Sequence, residues 1–266
     1  MERDLKKITI GRTSKEKNHV VVQKISRRCN HGDSAIAVAE YILSEIQTNT
    51  RSKEAEEISG FLSENRALEE YEDTSYNYRY LNDMTQIQAN NSIIALHKFA
   101  YIIGNRKPWD HKPIISDVKF KNRGVIRPVR LDATGNTSFS HYFKYKDHDY
   151  FFDVWSNIHF GYIGRSIGFS ESDLMLGSNA QQFIQDAQNF KFNQGDTPSD
   201  IITIQIGFDL YNQFGKYGEG LTGQHILDAL DNSTDLDNLL NDGSKQTHWC
   251  WHPDNPKPRK KREEDV

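Results

Sequence analysis

The segment from 150 to 169 holds three glycines, Gly161, Gly164 and Gly168, among apolar and aromatic residues. The helical spacing of its apolar residues predicts a short helix that Ser156 caps at its N-terminus. Each glycine lowers the stability of such a helix by about 1 kcal/mol relative to alanine. Because glycine has no side chain, another backbone can approach it closely. The spacing therefore predicts a helix that packs at close range against a second element.

The same segment carries a carboxylate, an imidazole and a guanidinium group. Asp153 and His159 are separated by a strand-to-helix turn, which could bring them within hydrogen-bonding distance for general acid or base catalysis. Equally, Asp153 could cap the helix and His159 could pack in the core. Arg165 could stabilise an anionic substrate group, or it could lie on the surface with its stem on apolar neighbours. All three are candidate catalytic residues.

Other polar and aromatic residues have a structural and a functional interpretation. Asp196 and Asp200 flank the helix start at Thr197-Pro198, where a helix N-terminus favours carboxylates, so capping alone accounts for both. Trp109 and Asp110 follow a proline and either anchor a loop or form a wall of a substrate site. The remaining candidates for substrate contact are Trp155 and Asn157, and Asn157 is equally suited to a turn.

The residue pattern changes after Pro108: helical spacing of apolar residues gives way to short runs of β-branched and aromatic residues. A hairpin is predicted to pair 141–146 with 150–155 around a polar turn, and residues 76–82 are predicted to be a connector. The predicted helices cover 33–46, 52–72, 87–103, 179–189, 197–214, 222–230 and 234–240. The predicted class is α+β, predominantly helical, with a small antiparallel β element in the middle of the chain.

Composition and charge exclude some classes of protein. The chain has 266 residues, of which 36% are hydrophobic, so one medium-sized domain with polar appendages is expected. A net charge of -4 gives no overall attraction to nucleic acid, although a local basic groove stays open. No segment resembles a signal peptide or a membrane span, so we expect a protein made in the cytoplasm without a classical signal peptide.

Three sequence blocks, in order, resemble the bacterial polymorphic toxin type 44 domain family. They are KPWDHK, then FDVWSNIHFGYIGRSIGFSESDLMLGSNAQQ, then GDTPSDIITIQIGFDLYNQFG, and together they cover about residues 105 to 215. Two positions depart from the family pattern, because His111 and Phe160 stand where a tyrosine is common. The resemblance strengthens the catalytic interpretation of Asp153 and His159, and it adds Asp200 to the predicted site.

Such domains form the C-terminal toxic part of secreted antibacterial toxins, and the resemblance implies the partners that such toxins have. These are a cognate immunity protein and a secretion apparatus or carrier, with export into target cells by a specialised secretion system. The domain organisation predicted on this basis has three parts. A helical region at 1–104 serves delivery or docking, a toxin type 44-like domain spans 105–242, and a disordered polar tail spans 243–266.

No metal and no cofactor are predicted from the sequence. His248-Trp-Cys250-Trp-His252 and Cys29-Asn-His31 both offer metal ligands, but neither spacing matches a common zinc framework. Motifs of P-loop nucleotidases, serine hydrolases and zinc proteases do not occur in the chain.

The function predicted from sequence is therefore a toxin that is a hydrolase using Asp/His acid-base chemistry on a cell-envelope component. A metal-independent ribonuclease, with nucleic acid as substrate, is the alternative and requires a basic concave surface. A non-enzymatic binding or scaffold domain is the second alternative. It requires that His159→Ala leave all activity intact, while a disruption at Gly164 abolishes folding.

Overall fold

The computed structural model describes residues 31–72, 78–131, 137–176, 198–238 and 244–251. It confirms the α+β class, because the chain is mostly helical and carries a small antiparallel sheet of four strands in its middle. Among the described helices, none combines the length and the apolar character that crossing a membrane requires.

The described helices are α1 (Ala35–Asn49), α2 (Lys53–Glu72), α3 (Tyr78–Ile102), α4 (Val154–Ile167), α5 (Glu171–Leu176), α6 (Pro198–Phe214), α7 (Gly223–Asp231) and α8 (Thr234–Asn238). The strands are β1 (Val125–Leu131), β2 (Thr137–Tyr145), β3 (His148–Phe151) and β4 (Lys245–Thr247). A π-helical segment covers Ile114–Lys119, and a 3-10 turn covers Trp249–Trp251.

The sheet has the strand order β1-β2-β3-β4, and every neighbouring pair is antiparallel. The predicted hairpin is confirmed, since Tyr145 pairs with His148 across a two-residue turn. Lys146 opens that turn with a positive φ of 49°. The second strand ends earlier than predicted, because α4 begins at Val154 and takes up Trp155.

Helix α1 forms where its apolar spacing predicts, and it buries a continuous stripe of small and branched side chains. The buried residues include Ala35, Val38, Ala39, Ile42 and Ile46. Opposite them in the same core cluster lie residues of α4 and α7. Although α1 precedes residue 105, it therefore shares one hydrophobic core with helices of the 105–242 region.

Helices α4 and α6 cross with their backbones in close contact. A Cβ added to Gly161 would overlap the carbonyl oxygen of Ile204, and one added to Gly207 would overlap that of Ile158. This confirms the close approach predicted for Gly161.

The other two glycines of α4 have different surroundings. Gly164 faces the side chain of Leu174 rather than a backbone, and Gly168 ends α4 in the left-handed conformation, with a φ of 114°. Glycine suits such a helix end because it carries no Cβ.

Several predicted boundaries of the helices are wrong. The N-cap of α4 is Asp153, not Ser156, and its side chain makes no capping hydrogen bond. Residues from Tyr78 onwards, predicted as connector, belong to α3. The predicted helix at 179–189 and the capping residue Thr197 lie outside the described residues.

The disordered tail predicted from residue 243 is wrong for 244–251. Residues 245–247 form β4, which pairs with β3, and the side chain of Lys245 is buried. Its ammonium group donates hydrogen bonds to the backbone oxygen of Asp231 and to the carboxylate of Asp237. A charged residue can lie inside the protein when its donors are satisfied in this way.

Candidate functional site

Helix α1 carries a row of three polar side chains along one face. Tyr41, Glu45 and Asn49 follow one another at intervals of four residues, so they share one face. Tyr41 and Asn49 are buried, while Glu45 is half-buried. We call these three residues the α1 polar row.

Two imidazoles lie against each other beside this row. His111 follows α3 in a loop, and His159 lies on α4. Their ring centroids are 4.1 Å apart and the ring planes are nearly perpendicular, at 79°. Both side chains are buried, with exposed fractions of 0% and 1%. These two residues are the histidine pair.

Hydrogen bonds join the histidine pair to the α1 polar row. The Tyr41 hydroxyl lies 2.9 Å from Nδ1 of His111, and Nδ2 of Asn49 donates to Nε2 of His159 over 3.0 Å. The side chains of Tyr41 and Asn49 also act on the carboxylate of Glu45, which lies one helical turn from each, and favour its ionised form. Polar side chains therefore extend from the buried imidazoles to a half-buried carboxylate.

Burial sets the protonation states of these side chains. It lowers the pKa of His111 to about 4, and it lowers the pKa of His159 well below its ordinary value, an effect to which the neighbouring His111 adds. Burial also raises the pKa of Glu45, against the opposing effect of Lys119 and of its polar neighbours on α1. At neutral pH both imidazoles are therefore uncharged, and Glu45 is a stronger base than an exposed glutamate.

The tautomer of His111 sets the direction of its hydrogen bond with Tyr41. A neutral histidine has a single ring proton, which is on Nδ1 when the Tyr41 hydroxyl accepts and on Nε2 when the hydroxyl donates. Nε2 of His111 is buried and has no hydrogen-bond partner among the described residues.

One cationic side chain, that of Lys119, lies at the outer end of this polar group. Lys119 is exposed, and its Nζ lies 4.1 Å from the ring centroid of Tyr41. The stretch 106–123, which contains His111, has six lysine or arginine residues and two aspartates, a net charge of +4. This stretch is basic within a chain whose total charge is -4. An anionic substrate would therefore be attracted to this part of the surface.

The structure does not gather the four predicted catalytic residues into one cluster. His159 makes its side-chain contacts with Asn49, His111 and Trp109, and none with Asp153, Arg165 or Asp200. Successive residues of an α-helix are rotated by about 100°, so positions 153 and 159 point about 120° apart. The pairing of this aspartate with this histidine stays a prediction, which the directions of the two positions on α4 do not favour.

Two of the predicted residues do meet, at the crossing of α4 and α6. Asn157 is buried, and its Nδ2 donates to Asp200 over 2.9 Å and to the hydroxyl of Thr203 over 3.2 Å. Asp153 precedes Asn157 by one helical turn and lies on the same face of α4. This second polar group holds α4 and α6 together, on a different side of α4 from His159.

Arg165 and Trp155 are occupied within the fold. Arg165 donates to the backbone oxygen of Phe169 over 2.7 Å, and its guanidinium lies 5.3 Å from the ring centroid of Tyr211. Trp155 is wholly buried, next to the ring of Tyr150.

The residues on either side of His111 shape its loop. The carboxylate of Asp110 accepts hydrogen bonds from the backbone N–H groups of Arg106 and Lys112. Trp109 is buried, with its ring centroid 6.4 Å from that of His159. Asp196, predicted to contact substrate, lies outside the described residues.

Comparison with known families identifies the central part of the chain. Residues 98–213 match the family model for bacterial toxin 44. These residues, which make up less than half of the chain, are similar to bacterial toxin 44 domains. The match confirms the family resemblance, and it includes both residues of the histidine pair. No curated protein and no solved structure matches the chain.

The α1 polar row lies outside the matched part of the toxin domain, and sequence reasoning missed it. A signal was present, because Tyr41, Glu45 and Asn49 place polar groups on one face of the helix at intervals of four residues. His111 was noticed only as a departure from the family pattern. Its position beside His159 depends on the tertiary fold.

A separate group of residues in the described part of the chain could hold a metal ion. The ligand atoms of His31, His248 and Cys250 all lie within 4.8 Å of one another. None of these residues belongs to the histidine pair or to the α1 polar row.

Proposed function

We propose that the toxin 44 domain is a hydrolase that is delivered to competing cells and acts on a cell-envelope component. The observation that carries this proposal is the half-buried carboxylate of Glu45 at the end of the polar side chains that extend from the buried imidazoles. Burial raises the pKa of Glu45, as acid-base catalysis near neutral pH requires.

Glu45 is the proposed catalytic residue. Its carboxylate takes a proton from a water molecule as the water oxygen attacks the substrate, and it returns that proton to the leaving group when the scissile bond breaks. Tyr41 and Asn49 lie one helical turn from Glu45 on the same face and favour its ionised form. His111 and His159 are positioning residues in this proposal, since both are too deeply buried to touch a substrate.

The basic surface around Lys119 supports an anionic substrate. Envelope polymers and their lipid-linked precursors carry carboxylate or phosphate groups, which the cations of the stretch 106–123 would attract. The acidic total charge of the chain fits such a substrate better than it fits a long nucleic acid.

A ribonuclease is the second candidate, and the same basic stretch favours it. Metal-independent RNA cleavage by two histidines would need one of them as an imidazolium acid. Burial keeps His111 and His159 neutral at pH 7, which places this candidate second.

The partners of the domain follow from its family. A cognate immunity protein would protect the producing cell, and a secretion apparatus or carrier would export the toxin. Residues 1–104 keep the proposed role in delivery or docking. Within them, α1 has a second proposed role, because it carries Glu45.

Expression in a bacterium tests the proposal. The protein is produced in the cytoplasm or, with an added signal peptide, in the periplasm, and growth is compared with that of the Glu45→Gln variant. We expect killing from the periplasm only, and a rate of envelope hydrolysis about 10²–10⁴-fold lower in the variant. Glu56→Gln is the matched control, since Glu56 is exposed on α2.

Each other outcome has a definite meaning. Killing from the cytoplasm that His159→Ala abolishes favours the ribonuclease. Killing that survives both Glu45→Gln and His159→Ala contradicts the acid-base site and favours a binding or scaffold role.

A further inference from the structure

We propose that His31, His248 and Cys250 form a zinc-binding site. Nδ1 of His31 lies 3.1 Å from Nε2 of His248 and 3.2 Å from Sγ of Cys250. His248 is wholly buried and Cys250 is nearly so. Three potential ligand atoms from distant parts of the sequence thus converge on one point.

Two of the three separations between these atoms suit a tetrahedral zinc ion, and the third, between His248 and Cys250, lies within 4.8 Å. Zinc binds histidine nitrogen at roughly 2.0–2.1 Å and cysteine sulfur at about 2.3 Å, so tetrahedral ligands lie about 3.3 Å (N to N) and about 3.6 Å (N to S) apart. The separations of 3.1 Å and 3.2 Å in this protein are close to those values. A small movement of the side chains would therefore admit the ion.

A buried carboxylate orients one of the ligands. Oδ1 of Asp149 lies 2.6 Å from Nδ1 of His248, and Oδ2 of Asp149 accepts the backbone N–H of Trp249 over 2.9 Å. With its proton on Nδ1, His248 presents the lone pair of Nε2 to His31 and Cys250. Carboxylates hold zinc-binding histidines in this way in many metal sites.

Nδ1 of His31 faces both the Nε2 lone pair of His248 and the sulfur of Cys250. A cation at this point would engage the two nitrogen lone pairs and a thiolate together.

The donor set selects zinc among common divalent ions. Two imidazole nitrogens and one thiolate suit Zn²⁺, whereas Mg²⁺ and Ca²⁺ prefer oxygen ligands. The site would connect residue 31 to residues 248–250, which follow β4 directly. Zinc would thereby fasten the C-terminal strand to the start of the described chain and stabilise the fold.

Metal titration of the full-length protein tests this inference. The metal-free protein is titrated with Zn²⁺ and with Co²⁺, whose thiolate charge-transfer absorption reports a bond to sulfur. We expect one ion per chain, a higher melting temperature with Zn²⁺, and a cobalt charge-transfer band that Cys250→Ser abolishes. His31→Gln should weaken Zn²⁺ binding at least tenfold, and His97→Gln, on the exposed surface of α3, should not change it.

A second variant guards against misfolding of the first. Asp149→Asn removes the carboxylate but keeps the shape of the side chain, and it should weaken zinc binding about 10–100-fold. Circular dichroism checks that each variant is folded. The inference is overturned if wild-type protein binds no stoichiometric Zn²⁺, or if Cys250→Ser keeps both the cobalt band and the affinity.

Discussion

One face of α4 meets the backbone of α6 at Gly161 and Gly207, whereas the opposite face presents His159 to His111 and to α1. The glycine face has no space for even one added carbon atom. The histidine face is held by single hydrogen bonds and ring contacts. Two residues of one helix that are two positions apart, such as 159 and 161, point in nearly opposite directions, about 200° apart.

The difference shows how a polar site can be positioned with few bonds of its own. The crossing of α4 and α6 determines where α4 lies, and α4 in turn places the ring of His159 against His111. The histidine pair thus depends on packing that none of its own atoms provide. Damage to the glycine face should therefore have the larger effect.

The largest expected effect is that of Gly161→Ala. Its Cβ would overlap the carbonyl oxygen of Ile204, so α4 and α6 must move apart, with an expected loss of about 3 kcal/mol in the free energy of unfolding. Urea denaturation followed by circular dichroism measures this change. The matched control is Gly60→Ala on α2, where an added Cβ meets no atom within 4 Å, and which should stabilise the helix by about 1 kcal/mol. A gain in stability for both variants would contradict the close crossing.

The next effect is a loss of stability in acid that originates in the histidine pair. The pKa of His111 is about 4 in the folded protein and 6.5 ordinarily, so between these pH values the unfolded chain binds a proton that the folded chain excludes. The full stability is present above pH 6.5, and about 3 kcal/mol is lost as the pH falls to 4. His159 acts in the same direction.

Urea denaturation at a series of pH values measures this dependence. His111→Asn should flatten it between pH 6.5 and 4, and His97→Gln, with an exposed histidine removed, should leave it as in the wild type. An unchanged pH dependence of stability in His111→Asn would show that His111 binds its proton equally well in the folded and the unfolded chain, which contradicts the lowered pKa.

A smaller effect is expected for Asn49→Ala. The change removes the hydrogen-bond donor to Nε2 of His159 and leaves that buried nitrogen without a partner, at a loss of about 1–2 kcal/mol. Gln47→Ala, on the exposed side of the same helix, should stay within about 0.5 kcal/mol of the wild type. Equal losses in the two variants would mean that the Asn49 hydrogen bond contributes nothing specific.

Much of the fold could be predicted from local patterns. The apolar spacing in α1, the polar turn of the hairpin and the glycine at position 161 each reflect a local physical requirement that is visible in the sequence. The strand β4 could not be found in this way. Its residues, Lys245 to Thr247, are polar, and they become a strand only because β3 offers an edge and Asp237 offers a partner for the lysine.

The candidate site was less predictable than the fold. His159 was predicted as a catalytic residue from its own segment, but its neighbours are distant in sequence: Asn49 lies 110 positions away. The metal-binding cluster shows the same limit. Two partial motifs, each too short to match a zinc framework, contribute one and two residues to a site that exists only after folding.

The segment that matches the family model and the segment that forms the core are different. The family model matches residues 98–213, whereas the core also includes residues of α1, the helix that carries Glu45. Evolutionary comparison limited to the matched region would follow His111 and His159 but not Glu45. In relatives of this domain, the residue that corresponds to Glu45 should therefore be sought in whichever helix covers the histidine pair, even where the surrounding sequence has diverged.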